Sequence, residues 1–377
     1  MIGSFRLPIS VTSSGDTTAP TILSATVEDA NPNKLVVVFS EVVTITDITG
    51  LTITGDATPT LSAPTGSGTD IITFTLSTAL TNGQSVTLNV ASSNTIKDAA
   101  NNALAAATKA ITNNVAVTYE AETTSYMNTI AIPDNSSASI YTGVSNNGVW
   151  LAVNEYITDL KTAVIYNKLH YNYLRVGGDI TKQSVDLIDP TRSGQYFGSW
   201  VFGKDGATAN GTNCYFKAIA NPLVLAPTSN NFGISVVINS STESSSVTVY
   251  GIYSGSGTDM RVQLYLNTSG INPFLGKSVG IYPLVLTGFF STSRTSDIAK
   301  SYLNGVEKLS SSQSGTVLPD AEVYEGASNW AYNGTVANYI ECDLGVTAYH
   351  QNLTASETLA FSNAVSKLET ALGRKRY

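Results

Sequence analysis

"IAKSYLNGVEKLSS", Ile298–Ser311, is the stretch that decides the fold. Polar and apolar residues alternate on both sides of Asn304-Gly305, and a period of two is the mark of extended chain. Asn-Gly is the dipeptide of a tight hairpin, because both residues tolerate positive φ. The stretch therefore predicts two antiparallel strands joined by a two-residue turn. The same style runs backward and forward from it. "GSWVFG", "CYFKAIA", "FGISVVIN", "VTVYGIYSG", "RVQLYLN", "LVLTGFFSTS" and "ANYIECDLGVTAYH" are all short β-branched or aromatic runs bounded by turn residues. Eight or more strands in one domain predict a jelly-roll sandwich.

Two helices flank these strands. Leu151, Tyr156, Leu160 and Val164 recur at helical steps and predict a helix from about Trp150 to Lys168, stopped by Gly177-Gly178. At the other end stands "LTASETLAFSNAVSKLETALGRKRY", Leu353–Tyr377. Thr354 with Glu357 three residues on is a capping box. Phe361, Val365, Leu368 and Leu372 give one apolar face, and Gly373 sits where a C-cap belongs. That face needs a surface, and the sandwich is the one available. The cluster of basic residues in "GRKRY" reads as a solvated tail.

Upstream, residues 18–115 form a separate domain of short strands, among them "APTILSATVED", "NKLVVVFSEVV", "DIITFTLS" and "QSVTLNVAS". Turn residues between them predict a second sandwich. Asn82-Gly83 predicts a hairpin here too. Residues 116–133 read as a linker, and residues 134–377 as the larger domain. Residues 1–17 read as an arm, with Phe5, Leu7 and Ile9 on one face of an extended segment. An arm of this kind would anchor the protein by pairing with another chain.

The 377 residues carry only 13% charged side chains and a net charge of −8. An acidic, charge-poor chain is a poor partner for phosphate backbones, so nucleic acid is not expected. No apolar run is long enough to span a membrane as a helix. The first residues lack the basic and apolar segments of an export signal. Cys214 and Cys342 could form one disulfide, two buried free thiols are the favoured reading, and their spacing fits no metal site.

The search for chemistry returns little. His170 and His350 lie beside predicted helix ends, away from any nucleophile motif, and a structural or surface role is expected for each. A glycan hydrolase would need two carboxylates at fixed separation. The acidic runs "VEDA", "EAE" and "DAEVYE" read instead as loop or edge charges, so no catalytic residue is assigned. "PTGSGTD" (Pro64–Asp70) and "YSGSGTD" (Tyr253–Asp259) lack the lysine of a phosphate loop and read as turns. No cofactor is expected. Calcium at Asp205 or Asp259 is conceivable but disfavoured, for want of ligand spacing. Aromatic residues are the better binding candidates, since sugars stack on exposed rings. Tyr196, Trp330, Tyr332 and Tyr339 stand in loop-like settings and are singled out for glycan or partner binding.

Two resemblances add to these expectations. Pro20-Thr21-Ile22, "VVVFSEVV" (Val36–Val43), "LTNGQSVTLNV" and "IKDAANNALA" (Ile96–Ala105) resemble bacterial Ig-like repeats of large surface proteins. In those repeats the last segment reads D-x-x-G-N-x-L, and here Ala100 and Asn101 stand where Gly-Asn is usual. The larger domain resembles concanavalin-A-like (LamG-like) jelly rolls common in bacteriophage-derived proteins. The matching segments are "VGGD" (Val176–Asp179), "VDLIDP" (Val185–Pro190), Trp200–Gly203, "NGTNCYF" (Asn210–Phe216), "YLNGV" (Tyr302–Val306) and the terminal helix. The expectation is an all-β protein: an Ig-like β-sandwich followed by a concanavalin-like jelly-roll sandwich with two flanking amphipathic helices. The second resemblance implies a non-enzymatic virion protein, a head decoration or tail appendage displayed outside the cell after lysis. Its partners would be other virion proteins, further copies of itself and a host-surface glycan. A bacterial surface adhesin or glycan-binding module is the alternative, and a glycan hydrolase the third.

Overall fold

The structure is a computed structural model that describes residues 15–135, 137–225, 231–242, 247–253, 261–267, 269–313, 318–331 and 334–374. Phe5, Leu7 and Ile9 of the expected arm lie outside the described residues, as do Tyr332 and Asp259. The chain divides into two compact units, Met1–Thr118 and Tyr119–Tyr377.

In the first unit, Lys34–Thr44 pairs antiparallel with Ile22–Glu28 on one side and Thr69–Leu76 on the other. Leu51–Gly55 pairs with Val86–Val90, which pairs in turn with the start of Ala107–Asn114. The end of Ala107–Asn114 runs parallel to Ile22–Glu28. Alternate residues of the strands, such as Leu35, Val37 and Phe39, point into one core. Two readings are corrected here. Asn82-Gly83 is a turn, but the strands it joins, Thr69–Leu76 and Val86–Val90, do not pair with each other. An Asn-Gly turn reverses the chain locally, whereas a hairpin also needs its flanks to share a register. In the closing segment, Asn101 takes φ +70° and Asn102 donates to the Asp98 carboxylate at 2.7 Å. Asn101 and Asn102 therefore fill the Gly-Asn positions, as the D-x-x-G-N-x-L spacing from Asp98 to Leu104 requires, and Ala100 and Asn101 do not. Asparagine is the non-glycine residue that best tolerates that backbone.

The second unit has three layers. Two eight-stranded, mostly antiparallel sheets face each other, and helices cover the outside of one of them. Phe232–Ser241 lies inside the covered sheet, between Glu341–His350 and Gly288–Thr295. Its residues Ile234, Val236 and Ile238 enter the inter-sheet core, while Val237 faces the helices. Burial on both faces accounts for the unbroken apolar run "FGISVVIN". The Ile298–Leu303 and Val306–Ser312 strands form the predicted hairpin, with Asn304 at φ +50° and Gly305 at +77°.

The terminal helix spans Ala355–Ala371, and its capping box is present. The Glu357 amide donates to Thr354 Oγ1 at 3.3 Å, and the Thr354 amide donates to Glu357 Oε2 at 2.9 Å. Phe361, Val365, Leu368 and Leu372 are all buried against the sheet and the preceding helix. Burial of each contributes roughly 1.5–3 kcal/mol. The basic tail is corrected in part. Gly373 turns the chain at φ +65°, and Arg374 goes inside. It pairs with buried Glu369 at 2.8 Å and donates to the Leu174 and Arg175 carbonyls at 2.7 and 3.1 Å.

The leading helix is Asn146–Thr162, capped by the Ser145 side chain, not Trp150–Lys168. Leu169–Tyr173 is instead a strand paired with Glu341–His350. The expected linker also holds an extra helix, Ala121–Thr129, whose Tyr126 and Met127 are fully buried. It is only nine residues long, with too few apolar positions to show a period.

Candidate functional site

Strand Arg261–Asn267 positions the site. Val262, Leu264 and Leu266 enter the core, so Arg261, Gln263 and Tyr265 take the opposite face of the uncovered sheet. The neighbours are set by register. Gly270–Ser278 brings Phe274 opposite Gln263, and Val247–Tyr253 brings Gly251 to its other side. Ser328–Trp330 then runs parallel to Val247–Tyr253, with Ser328 beside Gly251. Beyond the short strand Thr335–Ala337, Asn338 adopts φ +56° and accepts the Thr248 amide at 2.9 Å. Together these residues enclose a cleft of about 360 Å³ lined by Arg261, Gln263, Tyr265, Ser328, Trp330 and Asn338.

Several lining groups are fixed from behind. Gln263 is buried, and its amide donates to Thr248 Oγ1 at 2.7 Å. The Arg261 guanidinium sits over the Phe274 ring, 5.1 Å from its centroid. A methyl group at Gly251 would come within 2.8 Å of Thr248 Cγ2 and 3.0 Å of Gln263 Cγ. The lining offers one indole, one phenol, two amides, a hydroxyl and a guanidinium, and none of these described residues is a carboxylate. Such a set can stack on the apolar face of a ring and hydrogen-bond its hydroxyls.

The four aromatic candidates separate. Trp330 lines the cleft and is half-buried. Tyr339 is half-buried one residue beyond Asn338, with its hydroxyl on the Val336 carbonyl at 3.3 Å, and does not line the cleft. Tyr196 turns its hydroxyl inward, where Arg175 donates to it. That arginine is fully buried, lies over the Phe216 ring at 4.2 Å and pairs with Glu325. Glu325 also accepts from Tyr349 at 2.8 Å and Thr347 at 3.1 Å. The run "DAEVYE" thus ends in a carboxylate wholly inside the core, where a loop or edge charge was expected. Alternation within each strand puts Tyr196, Phe216 and Glu325 inward and their neighbours Phe197, Tyr215 and Tyr324 outward. Those three rings stack at 4.7 and 4.8 Å on the same sheet face as the cleft.

The remaining sequence candidates are structural or apart. His350 is buried, with Nδ1 2.7 Å from the Gln351 carbonyl and Nε2 2.9 Å from Ser235 Oγ. Burial pushes its pKa down to about 4. His170 is half-buried. Cys214 and Cys342 are buried free thiols. Asp205 pairs with Lys204 at 2.7 Å. In the first unit, Asp16, Glu41 and Asp98 bring one oxygen each within 4.8 Å of one another. The Asp98 carboxylate already accepts the Asn102 amide and side chain at 2.8 and 2.7 Å.

Residues 16–119 match the bacterial Ig-like domain family. The Ig-like domain accounts for the first unit and leaves the cleft, in the second, outside it. No curated protein matches the chain. Among solved structures, the chain is similar to domain 4 of AbnA, an extracellular arabinanase from Geobacillus stearothermophilus solved with arabinotriose. Identity is 16% over 52% of this chain and 98% of that one, with a TM-score of 0.39. A Trypanosoma rangeli sialidase mutant with trans-sialidase activity aligns over 57% of this chain and 39% of its own, at 12% identity and TM-score 0.40. The Ruminococcus gnavus sialidase CBM40, bound to alpha2,3 sialyllactose, aligns over 34% and 80%, at 15% identity and TM-score 0.28.

Proposed function

We propose that the second domain is a non-catalytic saccharide-binding module, carried beside an Ig-like domain on an adhesive protein. One observation carries this reading. The uncovered sheet face holds a concave cleft in which an indole, a phenol, two amides and a hydroxyl converge, and none of the described residues lining it is a carboxylate. Stacking would hold the ring of a sugar, and the amides would sort its hydroxyls. Weak binding per copy gains strength when many copies are displayed together. The setting implied by the resemblance is a phage particle, with the cleft turned to a host-surface glycan. A bacterial surface protein would use the same cleft in the same way.

A glycan array with the full chain tests the binding reading. Discrete saccharide hits are expected, and Trp330→Ala should weaken them by roughly five- to 150-fold, the loss of a ring stacked on an aromatic being worth ~1–3 kcal/mol. An unchanged array profile in a folded Trp330→Ala variant overturns the assignment of the cleft. Mass spectrometry of purified phage particles tests the setting, and absence of the protein from them removes the virion reading.

A further inference from the structure

We infer that the Leu51–Gly55 strand of the Ig-like domain is the surface through which two copies of this chain associate, pairing edge to edge about a two-fold axis. The strand ends its sheet and pairs only with Val86–Val90. Its hydrogen-bond phase is fixed at both ends. The Gly50 carbonyl accepts the Ala91 amide at 2.8 Å, and the Asp56 amide donates to the Ser85 carbonyl at 3.0 Å. Even-numbered residues therefore turn their backbone groups toward Val86–Val90, and Ile53 turns its amide and carbonyl the other way. No described residue bonds either of these two groups.

A bare sheet edge invites pairing, and the other strands that end the three sheets are each protected against it. Leu61–Thr65 holds Pro64, a bulge and Ala63 at φ +44°. Val306–Ser312 carries Glu307 and Lys308. Gln195–Phe197 and Val201–Gly203 are three residues long. Gly270–Ser278 is closed by the chain that follows it, where Ile271 and Tyr282 exchange amide-to-carbonyl bonds of 2.9 and 3.1 Å. Leu51–Gly55, "LTITG", has no charge, proline or bulge.

The occupant that fits is the same strand of a second copy. With Ile53 on the axis, Thr52 stands opposite the partner's Thr54, a favourable cross-strand pair, and Leu51 opposite the partner's Gly55. The nearest carboxylate along the chain, Asp56, falls opposite the partner's Gly50. Two copies that each carry a net charge of −8 thus meet here without like charges facing each other. Strands of five residues a side fall short of the ~1,000 Å² that a stable interface buries, so the contact is weak and forms when copies are concentrated or held close.

Cysteine cross-linking of the full chain tests the register. Thr52 and the partner's Thr54 would form a non-hydrogen-bonded pair with Cα atoms ~4.5 Å apart, within disulfide range. Thr52 and the partner's Thr52 would stand two positions out of register, too far to link. Both threonines are exposed, and the native Cys214 and Cys342 are buried. Thr52→Cys and Thr54→Cys, mixed and oxidised, should give a disulfide-linked dimer in several-fold greater yield than either variant alone. In sedimentation, the mass of the unaltered chain should rise from one copy toward two with concentration. The double variant Thr52→Lys with Thr54→Lys sets lysines opposite each other and should stay at one copy while remaining folded. A mixture that cross-links no better than the single variants overturns the inference, whether the chain is then monomeric, paired through another surface or bound by a strand of a different protein. Rising mass that the lysine variant leaves unchanged overturns it as well.

Discussion

At the scale of single residues, the sequence exposes what is unusual and hides what depends on neighbours. Trp330, which lines the cleft, was legible as a candidate because a tryptophan in a polar stretch is rare. Arg261 and Gln263 were not, since "RVQLYLN" shows only that its residues alternate. Which alternate set faces solvent is fixed by the second sheet, whose nearest strands in the chain are Phe232–Ser241 and Gly288–Thr295. Glu325 was misread for the same reason, because its partner Arg175 lies 150 positions earlier. His350 carries a prediction at this scale. A carbonyl can only accept, so Nδ1 donates to Gln351 and the neutral ring accepts from Ser235 through Nε2. The folded pKa of about 4 lies below the usual histidine value, so the unfolded chain binds the proton more readily. The contribution to stability is complete above about pH 6.5 and is lost as pH falls toward 4, up to roughly 3 kcal/mol. Chemical denaturation of the wild type against His350→Gln across that window should show the difference, and equal pH slopes would contradict it.

Elements were legible where local chemistry is self-sufficient. A capping box with a four-three-four apolar spacing needs no distant partner, and neither does an Asn-Gly hairpin with alternating flanks. The leading helix shows the limit. Its apolar steps run on to Val164, yet the chain leaves the helix at Ala163. The end is a Schellman motif, in which the Ile165 amide bonds the Leu160 carbonyl at 2.8 Å and the Val164 amide bonds Lys161 at 3.0 Å. Its left-handed position, normally glycine, is held by Val164 at φ +59°. A β-branched residue there gives no sequence warning of a stop, and the separate short turn of helix Tyr166–Lys168 was read as its continuation. The left-handed region costs such a residue ~1–2 kcal/mol. Val164 is 65% exposed, so little packing offsets that cost. Val164→Gly should therefore raise the melting temperature by about 2–4 °C, the usual effect of ~1 kcal/mol in a domain of this size. A lower melting temperature by calorimetry would show that the side chain matters more than the backbone.

For the whole molecule, the two-unit division follows from the buried residues, which cluster within one unit or the other: one cluster in the first, two in the second. Residues 119–377 expressed alone should melt cooperatively and keep the saccharide affinity of the full chain, whereas residues 16–118 should fold and not bind. Loss of binding in the larger fragment would mean that the Ig-like domain contributes to the site. The order of the larger unit along the chain has a further effect on how it is made. Arg374 is tied to carbonyls about two hundred residues earlier, and the helix before it roofs a sheet built from segments in between. During synthesis that sheet waits with a bare apolar surface until residue 374 has cleared the ribosome. Chains cut short before Ala355 should consequently yield sticky products, captured by chaperones or degraded, rather than a slightly shortened folded protein.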